Sequence, residues 1–188
     1  ETPKPGDPIF ADAETRIVAR PQASLESAAD VALRAGVTPV ILGDALEGEA
    51  RVVAAEHARQ AMSLRVAEGV NQLPMVLLSG GELTVTMKGD GRGGPNAEYM
   101  LAMVPALNAD PGIHALAVDT DGIDGSEDNA GAIIGPETLS RAAQLGVDPS
   151  KYLENNDSYH FFKALDDLVM TGPTYTNVND FRAVLVLS

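Results

Sequence analysis

The sequence has no cysteine. That excludes disulfides, zinc ribbons, thiol nucleophiles and iron–sulfur clusters, and it fits a reducing cytoplasm. Positive charge is scarce. Thirteen Lys and Arg stand against 27 Asp and Glu, for a formal net charge of −14. Such a surface repels a nucleic-acid backbone, and no basic patch with interleaved aromatics offsets it, so no nucleic-acid partner is expected. Long apolar runs are missing as well. Val184-Leu185-Val186-Leu187 is among the longest, far short of a membrane span, so no membrane partner is expected either. No signal-peptide pattern is visible.

What is present is a globular composition. Apolar residues make up 45% of 188, enough for one domain with a full core. The opening Glu1-Thr2-Pro3-Lys4-Pro5-Gly6-Asp7-Pro8 is rich in proline and reads as a linker. Residues 1–14 are therefore expected to be a linker or truncated N-terminal segment of something longer. Residues 15–188 are expected to form a single domain.

Periodicity predicts the elements. Thr15–Arg20 is a short β-type run. Leu25, Ala28, Ala29, Ala32 and Leu33 share one helical face, with Ser24 placed to cap it and Gly36 to end it. Val37–Leu42 reads as a buried strand, and Glu47 to about Ala67 as a helix. Met75–Leu78 and Leu83–Met87 read as two strands joined by a turn at Ser79-Gly80-Gly81-Glu82, hence hairpin partners. A helix opens at Pro95. Ile113–Val118 is a strand, and helices follow at Pro136–Leu145, after Asp148-Pro149 and up to Leu165. Phe181–Leu187, apolar at almost every position, reads as a central strand. The alternation predicts an α/β fold: a three-layer α/β/α domain on a mostly parallel, mixed sheet.

Three segments carry chemistry. The first is Lys88-Gly89-Asp90-Gly91-Arg92-Gly93-Gly94-Pro95-Asn96, between a strand and a helix. Missing side chains bare backbone N–H groups, a helix N-terminus lies behind, and Lys88 and Arg92 flank them. Gly89, Gly91, Gly93 and Gly94 are expected to hold an anion such as phosphate or carboxylate. The run also matches G-x-G-x-x-G, which leaves an NAD(P)H-binding alternative. The second is the acidic loop Asp119–Asn129 at a strand end. Its Asp119, Asp121 and Asp124 suit a hard cation such as Mg²⁺. It lacks the twelfth-position Glu of an EF-hand, which is Ala130 here. The third, Thr171–Asp180, offers hydroxyl and amide groups to a small polyol or acid. His57, His114 and His160 lack metal-type spacing; His57 reads as a helix-surface residue. Ser79 sits in no nucleophile elbow.

Taken in order, Ser79-Gly80-Gly81-Glu82, Lys88–Glu98, Asp121-Gly122-Ile123-Asp124-Gly125, Asn156-Asp157-Ser158, Thr171-Gly172-Pro173-Thr174 and Asn177-Val178-Asn179-Asp180 resemble the MOFRL family. The match runs from about Leu78 to Leu187. This family forms the C-terminal part of class II glycerate 2-kinases, often labelled hydroxypyruvate reductases and found in tartrate-utilisation operons. The resemblance implies a two-domain enzyme that phosphorylates the 2-hydroxyl of D-glycerate with ATP and Mg²⁺ in an interdomain cleft. The other domain, with a catalytic Lys, would lie N-terminal to this chain, and the isolated fragment is expected to be inactive. Catalytic roles would fall to Lys88, Arg92, Asn96 and Glu98. Substrate contacts would fall to Ser79, Glu82, Thr171, Thr174, Asn177, Asn179 and Asp180. Many relatives read G-R-G-G-R-N-Q-E, where this chain has Pro95 and Ala97. An anion-binding domain without catalysis remains an open alternative, as does a homo-oligomer.

Overall fold

The computed structural model describes residues 2–14, 16–66 and 73–188. Its centre is the last strand of the sequence. β6 (Asp180–Val186) lies between β2 (Met75–Thr84) and β3 (Ile113–Asp119). The sheet continues through β1 (Thr38–Glu49) on one side and through β4 (Gly131–Ile134) and β5 (Leu168–Val169) on the other. The order is β1-β2-β6-β3-β4-β5. β1 and β2 pair in parallel, and the other pairings are antiparallel. The sheet is mixed as expected, but it is not mostly parallel. β1, β2 and β3 do run the same way, as the alternation dictates. β6 then inserts between β2 and β3 with opposite polarity. Local periodicity carries no information about that distant partner.

Helices cover both faces. α1 (Pro21–Arg34) packs Leu25 on Val76 and Leu78. The opposite face carries α2 (Ala50–Val66), α3 (Pro95–Leu107), α4 (Thr138–Leu145), α5 (Pro149–Glu154) and α6 (Ser158–Leu165). Strand alternation assigns the faces. Leu77, Val184 and Val186 join the larger core, whereas Val76, Leu78, Ala183 and Leu185 join the α1 side. α3 is buried nearly all round, from Asn96 to Val104. α2 meets the core through Ala50, Ala54, Ala58 and Ala61, small side chains that let a neighbouring helix approach. Burying one residue such as Leu101 contributes about 2 kcal/mol.

Several sequence expectations give way. Residues 16–20 are irregular, and Thr15 lies outside the described residues. α1 starts at Pro21 with Arg20 at the N-cap, so Ser24 does not cap it; proline pre-sets the first helical φ. Gly36 does follow the helix end, with φ +75. β1 is an edge strand, half-buried and running on to Glu49, so α2 begins only at Ala50; Ala67 lies outside the described residues. Ser79–Glu82 is no hairpin turn but the middle of one continuous strand, β2. Its glycines serve close approach. A Cβ on Gly81 would collide with the Leu46 backbone, and one on Gly80 would press on the backbones of Asp44 and Asp180.

Candidate functional site

Where β2 and β3 end and β6 begins, Gly81 and Asp119 lie beside Asp180 in register. The three sequence-predicted segments gather here. A fourth, Asn155–Asp157, joins them.

That fourth segment changes the reading of the glycine loop. Asn156 Oδ1 accepts hydrogen bonds from the Lys88 and Gly89 amides, at 2.7 and 3.1 Å. Asn155 Oδ1 accepts from the Asp90 amide, the Asn155 carbonyl from Gly91, and Asp157 Oδ1 from Arg92. The amides of 88–92 are thus held by the chain itself. As a phosphate cradle, Gly89 and Gly91 are corrected: these glycines are required because the Asn155–Asp157 backbone runs where a Cβ would sit. Gly93, at φ +147, and Gly94, at the N-cap of α3, lie outside this network.

The N-terminus of α3 already carries an anion. Buried Asp124 accepts from the Asn96 amide at 2.9 Å and the Ala97 amide at 2.7 Å. Burial pushes its carboxyl up to about 6, against the opposing pull of those amides. Asp124 as a metal ligand is therefore corrected: it caps a helix.

Behind it stands a cation that sequence reasoning missed. Arg182 is 1% exposed on β6. It donates to the Gly80 carbonyl at 3.1 Å and to Asp180, and it lies over the Tyr99 ring. Asp180 accepts in turn from Asn96 Nδ2 at 2.7 Å. Burial raises the Asp180 carboxyl, and Arg182 works against that rise. The missed signal was positional: Arg182 shares the inward face of Val184 and Val186. His57 is likewise not a surface residue. It is 4% exposed, with Nδ1 2.8 Å from the Tyr99 hydroxyl, and burial pulls its pKa down to about 4.

Glu98 is also 1% exposed. Its Oε1 accepts from Arg51 Nε at 2.7 Å and from Asn156 Nδ2 at 2.9 Å. It cannot touch a substrate in this arrangement, so its catalytic assignment is corrected too. Lys88 and Arg92 remain exposed, Arg92 pairing with Glu127 at 3.3 Å.

The polar loop packs on the acidic loop. Thr174 donates through N–H to the Asp121 carbonyl, and Thr120 N–H and Oγ1–H both donate to the Asn179 carbonyl. Asn177 Nδ2 reaches Asp121 at 3.4 Å. An open groove of about 400 Å³ beside them is lined by Asp119, Thr120, Thr171, Thr174, Ser24 and Phe181, among others. Asp119 accepts from the Asp121 amide, and burial raises its carboxyl. Ser79 is buried in β2 on the row of Arg182, whereas Glu82 is exposed beside Glu47.

Among the described residues, four buried side-chain polar atoms have no hydrogen-bond partner: Asn96 Oδ1, Asn129 Oδ1, Ser158 Oγ and Arg182 Nε. All four belong to this end of the sheet. Such orphans are costly and mark functional or hydrated regions.

The MOFRL family matches residues 75–180. The chain belongs to that family. It is 51% identical over 188 residues to an Agrobacterium vitis protein named "Putative hydroxypyruvate reductase", covering 99% of this chain and 42% of that one. It is 34% identical over 187 residues to the D-glycerate 2-kinase of Thermotoga maritima, covering 100% of this chain and 44% of that one. A crystal structure of a Thermotoga maritima glycerate kinase superposes with a TM-score of 0.88 at 34% identity, over 93% of this chain and 42% of that one. This MOFRL chain thus spans roughly two fifths of the length of these relatives. Among its described residues no helix is long and apolar enough to cross a membrane.

A resident Mg²⁺ site does not fit these residues. Among those described, no three His, Asp or Glu side chains converge to hold a metal. Asp119 and Asp121 are neighbours, but Asp124 is turned onto α3.

Proposed function

We propose that this chain is the C-terminal part of a glycerate 2-kinase, which moves the terminal phosphoryl of ATP to the 2-hydroxyl of D-glycerate. The supporting observation is convergence. The glycine loop, the acidic loop and the polar loop meet at one sheet end, where open α/β sheets bind ligands. They do so in a chain that keeps 34% identity and a TM-score of 0.88 to a glycerate kinase.

Phosphoryl transfer needs positioning and charge neutralisation. Lys88 and Arg92 are the exposed cations suited to the phosphates, with the amide of Gly93 beside them; Gly94 is buried against Asp124. Arg92 would exchange Glu127 for a phosphate oxygen. Asn96 keeps the α3 start in place between Asp124 and Asp180. Thr171, Thr174, Asn177 and Asn179 suit the hydroxyl and carboxylate of the acceptor, beside Asp119 and Asp121. Ser79, Glu82 and Asp180 would shape the floor. A cytoplasmic location fits this chemistry. Residues 1–14 would lead in from an N-terminal domain that completes the cleft and supplies what the acidic loop lacks to hold Mg²⁺. On that reading the 188 residues alone turn nothing over.

The test is a coupled ADP-release assay on the longer protein and on this chain alone. Glycerate-dependent ADP release by the longer protein only is expected. No release by pure, folded, longer protein removes the reading.

The name of the Agrobacterium vitis relative favours a second reading, reduction of hydroxypyruvate by NAD(P)H. The Asp124 carboxylate on the first amides of α3 stands against it, because a dinucleotide pyrophosphate would need that place. Saturable NADH fluorescence with oxidation on adding hydroxypyruvate would restore it.

A further inference from the structure

The amides of Lys88–Arg92 end on one loop, and that loop is held from the core. Asn156 takes two of the amides through Oδ1 while its Nδ2 donates to buried Glu98. Glu98 sits in the first turn of α3, and Arg51 in the first turn of α2 donates to it. Arg51 Nη2 also reaches the Leu153 carbonyl, at the end of α5. One guanidinium therefore ties α2 to α3 and to the segment leading into Asn155–Asp157. A charged donor with several N–H groups in a rigid fork is the kind of group that fixes such geometry.

The energetics favour a device over an accident. A carboxylate at 1% exposure is costly unless it is paired. Asn156 adopts φ +54, a left-handed conformation that asparagine tolerates better than most side chains and that turns its amide toward both the loop and Glu98. Both are concentrated on holding the backbone between Lys88 and Arg92, whose side chains are exposed. The loop is thus a rigid frame from which two cations project.

We propose that Arg51 is a positioning residue of the glycine loop, acting through Glu98 and Asn156. The assignment goes beyond the motif residues, since Arg51 lies outside all of them. Its effect on turnover rests on the kinase reading; its effect on the loop does not.

The test is hydrogen exchange of the Lys88–Arg92 amides in the 188-residue chain, beside reference amides in β6. Two variants are used: Arg51→Met, and Asn156→Gly, which keeps the left-handed backbone accessible. Arg51→Met also leaves buried Glu98 without its cation, so some global loss is expected. Both variants should speed exchange at Lys88 and Gly89 by about tenfold or more beyond any change at β6, as local opening does. Arg51→Lys should recover part of the protection. If Asn156→Gly opens the loop and Arg51→Met does not, the link through Glu98 is wrong. If neither does, or if Lys88 and Gly89 speed up no more than β6, the proposal falls. Should Arg51→Met fail to fold, Glu98→Gln replaces it, with the same expected loop opening and the same overturning result. In the longer protein, the selective variants should lower kcat/KM for ATP at a temperature where each remains folded. An inactive wild type would count against the kinase reading and leave the exchange result standing.

Discussion

β6 has two characters. At its C-terminal end Val184 and Val186 sit among Leu77, Ile113 and Ala115, a dry core of aliphatic side chains. At its N-terminal end, on the same face, Arg182 and Asp180 sit among Ser79, Asn96 and Gly80. Half a strand separates apolar packing from a buried ion pair. The dry end holds the fold together by area removed from water. The polar end gains little net stability, because desolvating two charges consumes much of their attraction. Buried charge kept at such cost, together with all four orphaned polar atoms, marks the end at which the loops converge. The two ends should therefore answer differently to the same kinds of change.

The largest effect is expected from breaking the polar end on one side only. Arg182→Met leaves Asp180 buried without its partner, which typically costs about 3 to 5 kcal/mol. Ile113→Ala at the dry end should cost about 2 to 5 kcal/mol through its cavity. The difference lies in rescue. Asp180→Asn added to Arg182→Met should restore a large part of the loss, whereas it should add to Ile113→Ala. Urea midpoints for the two double-mutant cycles read this directly. Additivity in both cycles would show that Arg182 and Asp180 do not act as a pair.

A smaller effect separates two buried groups around the polar end by pH, Asp124 on α3 and His57 beside Tyr99 and Arg182. The Asp124 carboxyl rises in the fold from its ordinary value of 3.8 to about 6. Its contribution is full below the ordinary value and is lost as pH rises through about 6. His57, packed against Tyr99, falls from 6.5 to about 4. Its contribution is full above 6.5 and is lost as pH falls through about 4. The two slopes oppose each other between pH 4 and 6.5. His57→Gln removes one of them, so the variant should lose stability relative to wild type as pH rises from about 4.5 to 6.5, by on the order of 2 kcal/mol. Asp124→Asn should tilt the profile the other way. Urea midpoints at several pH values check both. Parallel profiles for His57→Gln and wild type would mean that His57 titrates normally in the fold.

The sequence made some of this legible. The strand–glycine-loop–helix order, the acidic loop after β3 and the central place of Phe181–Leu187 were all readable from spacing and composition. The family resemblance came from motifs scattered over a hundred residues, and residues 75–180 match it. Other features were hidden for physical reasons. That β6 separates β2 from β3 is a non-local fact. Gly80 and Gly81 read as a turn, because close backbone approach and tight turns demand the same residue. The glycine loop read as an empty nest, because nothing in its own sequence says that Asn155, Asn156 and Asp157 return to fill it. Asp124 looked like a metal ligand, because helix capping and metal binding both use carboxylates.

The smallest stability effect is expected where the proposed chemistry is most exposed. The Arg92 side chain is 64% exposed and touches Glu127 at 3.3 Å. A pair so accessible to water is worth about 0 to 1 kcal/mol. Arg92→Met should therefore leave the urea midpoint nearly where it was, unlike Arg182→Met. Its backbone amide, which Asp157 holds, is untouched by the substitution. If Arg92 is the cation that meets the transferring phosphoryl, turnover by the longer protein should fall by about a hundredfold or more, as loss of one preorganised charge does elsewhere. The two arginines would then divide cleanly in role. Removing the buried one costs the fold, and removing the exposed one costs only the reaction. Full turnover by Arg92→Met would move the catalytic charge off this loop and leave Lys88 as the cation to test.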